Sequence, residues 1–189
     1  MKYKAIILFG PPGSGKGTVG KALEDEGFMH VSSGDVFRGL DPNSKGGKLF
    51  HQYASKGHLV PDEVTIEIFE EHLKGLVAKG SYDPKNQMLL LDGIPRTKRQ
   101  AEVLDRDVDI EKVILIEIAD VEVLVERVRG RAEAEGRSDD QESVLRQRFE
   151  VFEQQTKEVL THYPSSKVLK INGQQSKEAV LAAIKALLN

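Results

Sequence analysis

Apolar positions follow two rhythms along this chain. Ala5-Ile6-Ile7-Leu8-Phe9, Gln87-Met88-Leu89-Leu90-Leu91, Val113-Ile114-Leu115-Ile116-Glu117-Ile118 and Val168-Leu169-Lys170-Ile171 are short runs, apolar nearly throughout. They predict strands buried on both faces, as in a parallel sheet. Phe28-Met29-His30-Val31 predicts a brief further strand. Between these runs the apolar residues recur at helical spacing. Val19, Ala22 and Leu23 mark one helix, Ile66, Phe69, Leu73 and Leu76 a stronger one, and Val121, Leu124, Val125 and Val128 another. Shorter helices are expected around Leu49, Phe50 and Tyr53, over 98–106, and after Ser176. Leu145, Phe149, Phe152, Val159 and Leu160 predict one long amphipathic helix. Residues 41–47 read as a loop, and 130–140 as a polar stretch punctuated by Gly130 and Gly136. Short strands alternating with helices specify an α/β fold, a five-stranded parallel sheet with helices on both faces. Ligands of such sheets sit at the carboxyl ends of the strands, which gathers residues 10–18, 92–96 and 172–173 into one crevice.

The first of these stretches carries the clearest chemistry. Gly10-Pro11-Pro12-Gly13-Ser14-Gly15-Lys16-Gly17-Thr18 lies between a strand and a helix. Glycines let the backbone bend closely around a polyphosphate. Successive N–H groups then form an anion nest at the positive end of the following helix. Lys16 adds a mobile cation. The pattern departs from the general phosphate-binding loop at Gly17, because the hydroxyl comes one residue later, at Thr18. An ordinary strand-to-helix turn is the bland alternative.

Composition narrows the partners. The 189 residues suit one domain, and the apolar (39%) and charged (30%) fractions are those of a soluble globular protein. A net charge of −3 leaves no basic footprint for nucleic acid. No apolar run reaches membrane-spanning length, and no signal peptide is visible. Cysteine is absent and the five histidines are scattered, so a metal should be a hard ion held by oxygens. Asp92 closes a predicted strand, where a phosphate-loop enzyme places a carboxylate near its magnesium, and Arg96 follows at the same rim. Arg131 and Arg137 bracket the glycine-punctuated stretch as phosphate clamps on a hinged flap would. Arg148 lies near an apolar helix face and wants an anionic partner.

The chain resembles the nucleoside monophosphate kinases, and most closely the adenylate kinases of short-lid type. The matching pieces are GPPGSGKGT (10–18), SSGDVFR (32–38), GHLVPDE (57–63), LLLDGIPRTKRQ (89–100), RVRGR (127–131), RSDDQESVLRQR (137–148) and NG (172–173). They span nearly the whole chain, and the Gly17-Thr18 departure is usual in this family. The resemblance implies a P-loop NTPase-type kinase domain over 1–189. Its core would be 1–31, 63–129 and 141–189, with an NMP-binding segment at 32–62 and a short lid at 130–140. It implies that Gly13, Ser14, Gly15, Lys16, Gly17 and Thr18 hold the ATP phosphates, with Arg127 and Arg131 on the ATP side. Gly173, Gln174 and Gln175 would meet the ATP adenine. Ser33, Arg38, His58, Leu59, Val60, Gly93, Ile94, Pro95, Arg96 and Gln100 would line the AMP site, with Arg137 and Arg148 bridging the phosphates. Lys16, Arg96, Arg131, Arg137 and Arg148 would be the catalytic cations. Mg²⁺ would sit largely among phosphates and water, near Thr18 and Asp92, and no zinc site is expected. A monomeric, cytoplasmic enzyme that binds neither nucleic acid nor membrane is expected.

A side-chain amide such as Gln100 suits adenine, pairing through one donor and one acceptor. The acceptor phosphate is already ionised near neutral pH, so no general base is needed. Two rival readings remain at this point: a UMP/CMP-type kinase, and a nucleotide-dependent switch module.

Overall fold

The computed structural model describes residues 2–136 and 140–188. Strands β1 (Tyr3–Phe9), β2 (Met29–Ser32), β3 (Leu89–Asp92), β4 (Val108–Glu117) and β5 (Val168–Asn172) form one sheet in the order β2-β3-β1-β4-β5. Every pairing is parallel. The helices are α1 (Lys16–Glu24), α2 (Ser33–Arg38), α3 (Lys45–Ala54), α4 (Asp62–Ala78), α5 (Lys98–Asp107), α6 (Val121–Glu135), α7 (Glu142–Val151) and α8 (Lys177–Leu188). Among the described residues, no helix is long and apolar enough to cross a membrane.

Strand alternation divides the core in two. Ala5, Ile7, Phe9, Leu89, Leu91, Val113 and Leu115 pack with Phe69 and Leu73 of α4 and Leu104 of α5. Ile6, Leu8, Leu90, Ile114 and Ile116 face the other way, onto Val19 and Leu23 of α1 and Val180 and Ile184 of α8. This is the two-sided burial that the near-continuous apolar runs require. The register sets Leu8 beside Asp92, and Asp92 beside Ser32. The carboxyl ends of β1, β3 and β2 therefore deliver the Gly-rich loop, Asp92 and the start of α2 to one place.

Four expectations are corrected. The strand expected at Val113 begins at Val108. Asp109, Glu111 and Lys112 hide it in sequence, but Val108 and Ile110 are buried against β1, with a register shift between Ala5 and Ile6. The long helix after 141 is broken: α7 ends at Val151, a π-helical turn covers Phe152–Thr156, and a 3-10 helix covers Lys157–His162. Phe152, Thr156 and Val159 stay buried along it. Finally, α6 runs straight through Gly130 to Glu135. Arg131-Ala132-Glu133-Ala134-Glu135 are strong helix formers, which outweigh a single glycine's cost of about 1 kcal/mol. The helix stops at Gly136, in the left-handed region at φ 62°. Within the expected loop at 41–47, α3 already starts at Lys45, with Ser44 accepting from the Gly47 N–H at 3.0 Å.

Candidate active site

A cavity of about 860 Å³ opens over the carboxyl ends of the strands. That volume suits nucleotide-sized ligands. Its floor is the loop between β1 and α1. Gly13 and Gly15 lie at φ 82° and 98°, where only glycine is at ease. Gly13 is also pinned by packing: a Cβ there would stand 2.8 Å from the Leu124 carbonyl oxygen of α6. Lys16 folds back over the loop, donating to the carbonyls of Gly10 at 2.8 Å and Pro11 at 3.0 Å. Burial pushes its pKa down to about 8; Asp92 opposes the shift, while Arg96, Arg131 and Arg148 add to it. An incoming phosphate would relieve this and draw the ammonium onto itself.

Asp92 stands at the end of β3, beside the first turn of α1. A Cβ added at Gly17 would lie 3.7 Å from its Oδ2. Burial alone would raise its carboxyl, but His30, Lys16 and Arg96 outweigh burial and hold it below the usual carboxylate range. His30 Nε2 approaches Asp92 Oδ2 at 3.7 Å, an electrostatic contact rather than a hydrogen bond. Exposed Thr18 and ionised Asp92 offer oxygen donors, which fit a hard cation held chiefly by phosphates and water. Among the described residues, no group of three or more His, Cys, Asp or Glu could hold a metal ion by itself.

The arginines converge on the cavity from several elements. Arg127 and Arg131 project from α6, Arg148 from α7 and Arg96 from the turn after β3, and all four line it. Arg131 grips Asp140 with two bonds, Nε to Oδ2 at 2.6 Å and Nη2 to Oδ1 at 2.7 Å. Arg148 Nη1 donates to the same Oδ1 at 2.6 Å. The Asp140 side chain is wholly buried. Burial would raise its carboxyl, but the two guanidinium groups pull it below the ordinary value.

The opposite rim is built from α2, the start of α4 and the start of α5. Arg38 Nη2 pairs with Asp35 Oδ1 at 2.6 Å. The Gly93 carbonyl accepts from Ser33 Oγ at 2.6 Å and from Arg96 Nε at 2.7 Å. Gly93 itself has φ 75°, and a Cβ there would meet Ser33 Oγ at 2.8 Å. The Ile94–Pro95 peptide is cis. Gln100, in the first turn of α5, is 2% exposed. Its Oε1 accepts from the Arg96 N–H at 2.7 Å, and its Nε2 donates to Asp62 Oδ1 at 2.8 Å.

Of the residues expected at the site, Gly13 to Thr18, Ser33, Arg38, His58 to Val60, Gly93 to Arg96, Gln100, Arg127, Arg131, Arg148, Gly173 and Gln175 line this one cavity. Gln174 does not; it is exposed, and its N–H is spent on Asn172 Oδ1 at 2.9 Å. Arg137 lies outside the described residues. Sequence reasoning missed four partners: Asp140, Asp62, Asp35 and His30. Asp140 and Asp62 stand within the RSDDQE and VPDE runs, so each had a signal in its neighbours. His30 had none, because only the sheet register brings it beside Asp92.

Comparison with known proteins agrees with this geometry. The family model described as Adenylate kinase matches residues 8–168. The chain is 37% identical to the adenylate kinase of Thermus thermophilus, covering 98% of this chain and 97% of that protein. It is 39% identical to that of Maricaulis maris, over 97% of both chains. It is 38% identical to that of Prochlorococcus marinus, over 100% of both. Matched by the family model and by relatives along nearly its whole length, the chain belongs to the adenylate kinase family.

Proposed function

We infer that the chain catalyses reversible, Mg²⁺-dependent phosphoryl transfer from ATP to AMP, giving two ADP. One observation carries this reading. A single cavity joins a phosphate-cradling loop to a second rim with its own arginines and a buried side-chain amide. A switch module needs only the first half of that arrangement.

In the transfer, an oxygen of the AMP phosphate attacks the γ-phosphorus of ATP, and the bond from that phosphorus to the β,γ-bridging oxygen breaks. The released charge stays on the new ADP. The nucleophile is already an anion, so the protein supplies position and compensating charge rather than a base. The loop amides and Lys16 hold the ATP phosphates, with Arg127 and Arg131 on that side. Arg38 and Arg96 hold the AMP phosphate, and Arg148 meets the phosphoryl group between them. Arg137 is assigned to the same clamp by the family resemblance. Gln100 takes the AMP base, with His58 to Val60 beside it. Gly173 and Gln175 lie on the ATP adenine side. Thr18 and Asp92 would help hold Mg²⁺, which when bound neutralises phosphate charge and orients the β- and γ-phosphates.

Residues 32–62 and 130–140 act as covers that close when both sites are filled, keeping out water as a competing acceptor. Gly136 is the lid's turning point, and α6 is its stiff arm. The same reading expects a monomer working in the cytoplasm.

The direct test mixes the protein with Mg·ATP and each of AMP, GMP, CMP and UMP, and measures diphosphate formed. AMP is expected to react fastest. Faster reaction with CMP or UMP would assign the protein to the pyrimidine kinases instead.

A further inference from the structure

The proposed AMP rim contains a closed ring of hydrogen bonds whose outer member has no role so far. Asp62 is the first residue of α4, where the chain leaves segment 32–62. Its Oδ1 accepts from Gln100 Nε2 at 2.8 Å, and its Oδ2 accepts from Thr97 Oγ1 at 2.9 Å. Thr97 Oγ1 in turn caps α5 by accepting from the Gln100 N–H at 3.1 Å. The Arg96 N–H donates to Gln100 Oε1 at 2.7 Å.

A primary amide has two faces that differ only in which end donates. Turned over by 180°, it presents the reverse order of donor and acceptor. Here both ends are committed. A carboxylate oxygen only accepts, so the NH₂ end must face Asp62. A backbone N–H only donates, so the oxygen end must face Arg96. One N–H and one oxygen lone pair remain for a ligand, in an order that cannot reverse.

That order separates two chemical classes of base. Adenine offers an amino donor beside a ring-nitrogen acceptor. Hypoxanthine offers an oxo acceptor beside a ring N–H donor, the same pair reversed. A loosely held amide would turn to suit either, whereas a fixed one pairs with only one of them, and a buried mismatch leaves polar groups unpaired.

We propose that Asp62 is a positioning and specificity-determining residue, which holds the Gln100 amide one way round so that the acceptor site takes a 6-amino purine and rejects a 6-oxo purine. The proposal rests on the reading of this rim as the AMP site. Asp62 touches no substrate in it, and acts through Gln100.

The test compares kcat/KM for AMP and for IMP, which differ at this one edge of the base. Asp62→Ala should lower the AMP:IMP ratio roughly 10- to 100-fold, as expected for loss of an orienting bond to a charged group. Asp62→Asn keeps an oxygen toward Gln100 and should hold the ratio within about threefold of the parent, well inside that loss. In a Gln100→Ala background, Asp62→Ala should change the ratio no further, as required if the two act together. Should Asp62→Ala not fold, Asp62→Ser, which keeps a polar side chain at the start of α4 but is too short to reach Gln100, is read in its place. If Asp62→Ala lowers both substrates equally and leaves the ratio intact, Asp62 merely ties α4 to α5 and the proposal is overturned. If Gln100→Ala itself leaves the ratio unchanged while AMP still reacts, the base-reading assignment is wrong and the proposal goes with it. Failure of the parent enzyme to phosphorylate AMP would instead overturn the functional reading.

Discussion

The two rims of the cavity hold their polar groups by opposite means. On the side of α6 and α7, Arg131 and Arg148 rest on a buried carboxylate, Asp140, at 2.6 to 2.7 Å. These contacts are made by charge, and a phosphate offers the guanidinium groups the same planar, bidentate geometry. One anion can replace another there. On the side of α4 and α5, Asp62, Thr97, Gln100 and the Arg96 N–H form a ring in which each bond has one permitted direction. Truncating a member removes a direction. In the proposed reaction, phosphate contacts must be exchangeable because phosphates arrive, react and leave, whereas the proposed base contacts must be fixed because they carry only selection.

The largest effect expected is on the charge side. Lys16→Ala or Arg148→Ala should lower kcat about 10²- to 10³-fold, the usual loss when one contact to a developing charge is removed. Circular dichroism and thermal melting should show the fold intact. A near-normal kcat in a folded variant would remove that residue from the clamp.

On the direction side, Gln100→Ala should weaken selection for AMP over other monophosphates by about one to two powers of ten, again the worth of a bond whose loss leaves buried groups unpaired. ATP binding should be nearly unchanged. If both substrates suffered equally, the division between the rims would collapse.

A pH profile sharpens the comparison further. Lys16 has its pKa pushed down to about 8 in the ligand-free protein. In its proposed role it holds phosphate only when protonated, so it should be competent below that pH and neutral above it. The kcat/KM for ATP should therefore fall about tenfold per pH unit above 8, since this quantity reports the free enzyme. Bound triphosphate favours the ammonium, so the fall in kcat should come at higher pH. The AMP:IMP ratio should stay flat over the same range, because the proposed base-reading contacts depend on direction rather than on the Lys16 charge.

The smallest effect is expected for Asp140→Asn. The change should cost about 1–3 kcal/mol, the worth of hydrogen bonds to charged groups, and lower Tm by about 2–4 °C per kcal/mol. A ligand linking two adenosines through five phosphates should raise Tm more in the variant than in the parent, because its phosphates replace the missing carboxylate. The pH dependence has a definite sign. The Asp140 carboxyl is held low when folded, so its stabilisation is present above the unfolded value near 4 and is lost as pH falls through the folded one. The asparagine variant should lack this acid limb in a series of melting curves. Equal ligand shifts in the two proteins would show that phosphate does not take the place of Asp140.

Much of this was legible in the sequence because the signals are local. The run Ala5–Phe9 followed by Gly10–Thr18 specifies strand, loop and helix start from neighbours alone, and the cavity floor follows. Burial of the strands on both faces is written in their unbroken apolar character. Other features needed the folded chain. Polar Asp109, Glu111 and Lys112 concealed the first half of β4, whose pairing comes from β1. Gly130 looked like a hinge, although the helix formers after it carry α6 past it.

The partners of the charged groups were beyond local reading for a further reason. A sequence shows which residues can donate or accept, but not which of them share a place. Asp62 meets Gln100 across 38 positions, and His30 meets Asp92 only because β2 and β3 pair in register. By itself the sequence determined the parallel sheet and the turn that follows its first strand, because each follows from short-range backbone preference and burial. Tertiary structure alone decided that Asp140 occupies two arginines and that Asp62 bonds the Gln100 amide, because the first needs α6 and α7 turned toward one carboxylate and the second needs the starts of α4 and α5 packed side by side.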